Sequence, residues 1–505
     1  MMASSSGAAP AHSNPNYQAL AQHFKTISHF EHFSILGDWD QATMMSKGGG
    51  DTRGEAMASL AKHIHRLKTQ DNLPALLHSA SQESLNEHER ANVREMRYQY
   101  QQANLVPATL VEAQTKAGYL CENGWREQRQ NNDWQGFKPN LEAVIALTRE
   151  EAQIRSQALG IAPYDALLDK FEPGMTSAKL EQIFGPLEQA LPELIAQIVD
   201  KQASEPQIAL EGHFPTEAQE ALSRDLMQLL GFDFNQGRLD ISSHPFSSGV
   251  PGDVRITTRY DEGDFTSALM GTIHETGHAS YEQGLPQQWR GQPAGLARSM
   301  GIHESQSLFF EMQLGRSPGF LNLLLPKLNQ HLKCNYTRSQ LANIYSRVTP
   351  GKIRVDADEV TYPCHILLRF EAEKALIDGS LEVKDLPEFW SSKMQALLGI
   401  NTDGDDKNGC MQDIHWTLGE LGYFPSYTLG AMYAAQLSAT LQSQLGDLDS
   451  LLSTNRLGDI MHWLGENIWS KASFLTTDEL VTQATGEALN PIHFQRHLKT
   501  RYLEA

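Results

Sequence analysis

The sequence predicts a mainly α protein built as one large helical body, and three observations point there. Apolar residues at helical spacing, with short breaks, run along most of the 505 residues. No Pro- or Ser-rich tract divides the chain and no internal period marks a solenoid, although length alone suggests about three domains. Strand-like signal is sparse and gathers in one place, residues 238–260. The first residues, Met1–Pro15, are small and polar, without a basic stretch leading into an apolar core. They read as a disordered tail rather than a signal peptide, which leaves 16–505 as a single domain.

The elements follow in order. Ser177–Phe184 carries Leu180, Ile183 and Phe184 on one face, and Leu187–Asp200 carries Leu191, Leu194, Ile195 and Ile198. Gly185-Pro186 predicts a break between these two helices. Arg238–Ile241 and Gly252–Tyr260 flank a Ser-Ser-Gly-Val-Pro-Gly turn region and predict a small antiparallel β-sheet. That sheet leads into a helix opened by Asp264 as an acidic N-cap and closed at Gly284 and Pro286. Gly301–Phe310 reads as a further apolar helix.

The helix after Asp264 contains His274-Glu-Thr-Gly-His278, an HExxH pattern. Positions i and i+4 share a helix face, so His274 and His278 can grip one Zn2+ ion while Glu275 stands beside it as a candidate general base. Two surface histidines on an ordinary helix would give the same short string. The apolar surroundings weigh against that, because buried imidazoles need partners. A catalytic zinc takes a third protein ligand and keeps one position open. A metzincin would have His where Gly284 stands, and that reading fails. Glu282 sits two turns along the same helix, too close to fold back. Of the next acids, Glu304 and Glu311, Glu304 is the expected ligand, delivered by the second apolar helix.

Six motifs in register carry a wider resemblance. They are His244-Pro-Phe246, Asp253-Val-Arg255-Ile-Thr257, the HExxH segment, His303-Glu-Ser-Gln306, Ile353-Arg354-Val-Asp-Ala-Asp358, and Gly409-Cys-Met-Gln412-Asp413-Ile-His415-Trp416. Trp39-Asp40-Gln41, Gly48-Gly49 and Arg53 add an N-terminal counterpart. Together they resemble the Taq-type thermostable metallocarboxypeptidases over nearly the whole chain. The resemblance implies a helical body with a deep active-site groove, a small sheet beside the zinc helix, one zinc per chain that cobalt can replace, and a homodimer.

Composition is compatible with this. A formal charge of −20, with acids spread along the chain, argues against a nucleic-acid surface and for a soluble protein. The four cysteines form no CxxC pair and suggest free thiols in a reducing, cytoplasmic setting. No run of eighteen apolar residues predicts a membrane span.

The expected chemistry is release of single C-terminal residues from peptides, with broad specificity, by metal-activated water and Glu275 as base. His415 and Tyr423 are candidate donors to the developing oxyanion; the competing readings are a core histidine satisfied by Asp413 and, for the tyrosine, aromatic packing. A free carboxylate suits the planar fork of arginine, and Arg354 and Arg255 are the candidates, with Tyr427 and His244 beside them; Arg259 and Arg298 are weaker. Structural ion pairs with Asp253, Asp356 or Asp358 are the bland alternative. Asp358 and Glu359 read as groups that orient a zinc histidine. An endopeptidase with a similar groove, and a peptide-binding protein without catalysis, are the two other readings; retention of Glu275 disfavours the second. No Gly-x-Met-Glu-Asn segment supports an aminopeptidase.

Overall fold

In the computed structural model, which describes residues 14–504, helices dominate and a single three-stranded sheet interrupts them. The expected N-terminal tail lies outside the described residues except for Asn14 and Pro15; Pro15 opens the first helix, Pro15–Thr43. The described residues form two compact units.

The first unit comprises 14–104 with 286–296 and 472–474. Helices Pro15–Thr43, Gly50–Lys68, Leu73–Ser81 and Glu87–Asn104 bury Leu20, Phe24, Ile27, Leu73, Leu77 and Met96 between them. In the Trp39-Asp40 to Arg53 motif, Arg53 donates to the Gly37 carbonyl at 2.8 Å and to Asp40 at 2.5 Å, so its two charged members hold each other.

The second unit contains every other motif. Its sheet consists of β1 (Gly237–Ile241), β2 (Phe246–Val250) and β3 (Asp253–Thr258), in the order β1-β3-β2. The sheet is mixed rather than purely antiparallel. The Ser-Ser-Gly-Val stretch, expected as turn, is β2, and it pairs antiparallel with β3 through a tight Pro251-Gly252 turn. Gly252 there has φ +96°, the left-handed conformation that a Pro-Gly turn requires of its third residue. Two chain reversals return β3 to the direction of β1, so those two pair in parallel, Leu239 against Ile256. Leu239, Val254 and Ile256 are buried with Phe232 and Ala279, which seats the sheet on the HExxH helix.

A second difference concerns residues 177–202. One helix, Ser177–Gln202, runs through Gly185-Pro186 without a break. Its buried face, from Leu180 and Phe184 through Leu187 to Ile198, is continuous across the proline. Packing along that stripe outweighs the lost hydrogen bond.

Candidate metal centre and substrate cavity

The HExxH helix spans Phe265–Gly284, and Asp264 caps it by accepting from the Thr266 N–H at 2.7 Å. It is buried on nearly every side. The second helix, Met300–Leu308, starts at a Ser299 cap and continues as a π-helical stretch, Phe309–Gly315. The two approach closely at Gly277, where a Cβ would stand 2.4 Å from the Gln306 carbonyl oxygen. Only glycine fits, so the glycine of His-Glu-Thr-Gly-His is what lets the second helix bring its carboxylate to the histidines. Gly430, on helix Pro425–Leu445, does the same from another side: a Cβ there would stand 2.6 Å from Cγ of Glu304.

His274, His278 and Glu304 converge, with one ligating atom from each inside a 4.8 Å span. Oε2 of Glu304 lies 3.3 Å from Nε2 of His278 and 3.9 Å from Nε2 of His274. Ligands about 2.0–2.1 Å from a tetrahedral ion stand about 3.3 Å apart, so the spacing suits a small divalent cation.

The outer ring nitrogens fix the tautomers. Nδ1 of His274 donates to Glu311 at 2.9 Å, which leaves Nε2 as the nitrogen turned to the metal site, where a cation, proton or metal, is favoured. Nδ1 of His278 lies 2.6 Å from Nδ1 of His303, and Nε2 of His303 lies 2.9 Å from Glu282. The consistent arrangement has His303 donating to Glu282 and His278 donating to His303, so Nε2 of His278 is also free to ligate. Glu311 in turn holds Arg316. Burial would raise the Glu311 carboxyl, but Arg316 and His274 hold it down at about 2. His274 shows the field of the site: burial would lower it, yet Glu304, Glu311 and Glu275 push it up to about 10. A centre that stabilises positive charge this strongly is built for a cation. Glu275 is buried and pushed up to about 7, chiefly by burial, with His274 pulling the other way.

Opposite charge dominates the facing wall. Arg354 is buried, with Nε and Nη2 each 3.0 Å from Oδ1 of Asp413 and Nη1 donating to the Tyr362 hydroxyl at 2.8 Å. Phe424 and Tyr427 lie against its guanidinium at 5.2 and 5.3 Å. The second oxygen of Asp413 accepts from Nε of Arg369 at 2.7 Å. Two guanidinium groups therefore share one carboxylate, and a positive charge is left over.

A cavity of about 260 Å3 has His274, Glu304 and Glu311 on its lining together with Arg354, Tyr362 and Tyr427. Leu308, Met312, Val355 and Ala431 supply apolar wall. His415 and Tyr423 stand next to Tyr427: the His415 ring stacks on Tyr423 at 5.4 Å, and Tyr423 meets Tyr427 edge-on at 5.3 Å. Nδ1 of His415 is buried and has no hydrogen-bond partner among the described residues.

Not every expected residue joins this group. Arg255 lies on β3, where its guanidinium pairs with Asp253 through two 2.9 Å bonds. His244 is exposed, and its carbonyl accepts from Ser242 at 2.5 Å. Neither lines the cavity. Asp358 and Glu359 do not orient a zinc histidine. Asp358 caps the next turn, accepting from the backbone of Val360 and Thr361. Glu359 accepts from His497 at 2.5 Å and Tyr502 at 2.8 Å, anchoring the last helix. The acids hydrogen-bonded to the two histidines are instead Glu311 and, through His303, Glu282. Glu311 sits two helical turns beyond Glu304, which was a visible signal; Glu282 was set aside as a ligand and serves one step further out.

Comparison with known proteins agrees with this geometry. The family model described as Carboxypeptidase Taq (M32) metallopeptidase matches residues 19–502. The chain belongs to that family. It is therefore a metallocarboxypeptidase, a peptide hydrolase. It is similar to "Thermostable carboxypeptidase 1" of Thermus thermophilus, with 38% identity over 96% of this chain and 98% of the relative. "Carboxypeptidase 1" of Bacillus subtilis is 36% identical over 95% of this chain and 96% of its own. Among solved structures, Trypanosoma cruzi metallocarboxypeptidase 1 superposes with a TM-score of 0.95 at 45% identity, covering 97% of this chain and 100% of that one. No described helix is long and apolar enough to cross a membrane.

Proposed function

We propose that this metallocarboxypeptidase is a zinc enzyme of broad specificity that removes single C-terminal residues from peptides, with Glu275 as general base. One observation carries the reading: the cation-attracting His274–His278–Glu304 cluster opens, through His274 and Glu304, onto the same small cavity as a buried arginine, Arg354. His274, His278 and Glu304 would hold the ion. Two imidazoles and one carboxylate are a donor set suited to zinc, and cobalt tolerates the same ligands. When bound, zinc polarises the scissile carbonyl and makes water acidic enough to attack at neutral pH.

The protein's own groups do the rest. Glu275, with its carboxyl near 7, accepts the proton of the attacking water and returns it to the leaving amine. His415 and Tyr423 donate to the negative charge growing on the carbonyl oxygen. His415 is suited to donate as a neutral ring, because burial lowers it to about 4 despite the pull of Asp413. Arg354 pairs with the terminal carboxylate of the substrate, and the face of Tyr427 closes that side. Arg354 is preferred to Arg255 because it shares the cavity of the metal ligands His274 and Glu304, which Arg255 does not line. All of these residues lie in the second unit.

The test is metal analysis with activity. One zinc per chain should be found, chelation should abolish hydrolysis, and zinc or cobalt should restore it. Full activity in metal-free protein would end the proposal. A cytoplasmic location is proposed from the four free cysteines. A homodimer is proposed from the family, and a monomer mass by light scattering at micromolar concentration would contradict it.

A further inference from the structure

The helix Tyr362–Asp378 presents three polar side chains along one face, at Tyr362, Arg369 and Glu373. The first holds Arg354 and the second holds Asp413. The third has no part in the reading above, yet it is fully enclosed: Glu373, like Arg369, has 0% exposure. Its carboxylate accepts three hydrogen bonds. Nε1 of Trp416 donates to Oε1 at 2.7 Å; the Gly422 N–H and the Tyr164 hydroxyl donate to Oε2 at 2.9 and 3.0 Å.

Two of those donors flank the candidate oxyanion groups. Trp416 follows His415, and Gly422 precedes Tyr423. The two segments reach Glu373 from opposite ends of the loop 415–423, so one carboxylate fixes both of its ends. A buried carboxylate costs folding free energy unless its donors are fully in place, and three donors converge here. Burial still pushes this carboxyl up to about 7, with Trp416, Gly422 and Tyr164 opposing.

We propose that Glu373 is a positioning residue: it clamps Trp416 and Gly422 and so sets His415 and Tyr423 against the substrate carbonyl. It touches no substrate. The inference rests on the role given to His415 and Tyr423, and the test separates the two.

Glu373→Gln keeps the shape but turns one acceptor into a donor. An amide can serve Gly422 and Tyr164, or it can serve Trp416, but not both sides, because neither the indole nor the backbone N–H can accept. The variant should bind metal as the wild type does and keep KM within about twofold, while kcat falls roughly tenfold or more, since groups used mainly in the transition state act on kcat.

A double-mutant cycle reads the mechanism. In a Tyr423→Phe, His415→Ala background, adding Glu373→Gln should cost less than about twofold, because there is nothing left to position. If the full loss recurs in that background, Glu373 is a structural residue and the proposal fails. If Tyr423→Phe with His415→Ala itself leaves kcat unchanged, the oxyanion role fails instead. Should Glu373→Gln not fold, Tyr164→Phe removes one of the three donors without unpairing the indole. The same cycle then applies, with a smaller loss expected in the wild-type background and none in the other; equal losses in both overturn the proposal.

Discussion

The two sides of the cavity handle charge in opposite ways. On the HExxH side, Glu275, Glu304 and Glu311 surround His274 and push its ring up to about 10. On the Arg354 side, two arginines share Asp413, and the His415 ring lies at about 4, lowered first by burial and then by Arg354 and Arg369 against Asp413. Both sides are buried, so desolvation acts on each; the difference comes from the partners. An acid-rich wall draws a cation, and the arginine-bearing wall of the same cavity draws an anion. An exopeptidase needs both, one for the metal and one for the free end of its substrate.

The comparison can be broken at several points. The largest effect is expected at Glu275. Glu275→Gln keeps all three ligands, so bound zinc should stay near one per chain while kcat falls by about 10^2–10^4, the range typical of a lost general base. Normal turnover in that variant would remove Glu275 from the chemistry. Next comes Glu311, which orients His274. Glu311→Gln should weaken zinc about 10–100-fold, read by competition with a chelator, as loss of an outer hydrogen bond to a ligand usually does. Unchanged affinity would mean that the Glu304 side alone sets the field.

The smallest effect concerns pH. A ring at about 4 is neutral across the working range, so His415 should not titrate there. Glu275, at about 7, has to be deprotonated to act, so activity should rise as pH climbs through its acid limb. His415→Ala should lower the rate throughout and leave the position of that limb unmoved. A limb displaced by a full unit would show that His415 carries a working proton.

Much of the convergence of His274, His278 and Glu304 was legible because it follows from helical spacing. His274 and His278 needed only the i, i+4 rule, and Asp264 and Gly284 marked the ends of their helix. Glu304 followed from a second apolar helix. Glu311 was visible as a candidate, but the π-helical stretch that carries it does not announce which way it points. The other wall was less legible. Glu373, on a helix, and Glu172, in the turn between two helices, are buried carboxylates, where sequence alone favours solvent. Glu172 accepts from Gly301, at the N-terminus of the Glu304 helix, and from Ser426, 129 and 254 residues away in the chain, pairings no local pattern carries. Glu359 was matched to the wrong partner for the same reason, since His497 is far away in the chain. In the sheet, Ser and Gly in β2 resemble a turn, so the antiparallel neighbour of β3 was misplaced.

The division of labour between the two walls is tested most directly by a two-by-two comparison. Peptides with a free C-terminus and the same peptides amidated are assayed against the wild type and Arg354→Ala. Truncating an arginine that pairs with a carboxylate in a partly buried site costs about 2–5 kcal/mol, so kcat/KM for the free acids should fall by a factor on the order of a hundred or more. Amidated peptides should already be poor substrates of the wild type and should lose little further in the variant, because they never made the contact. Efficient wild-type cleavage of amidated peptides, or equal losses for acid and amide, would contradict the account.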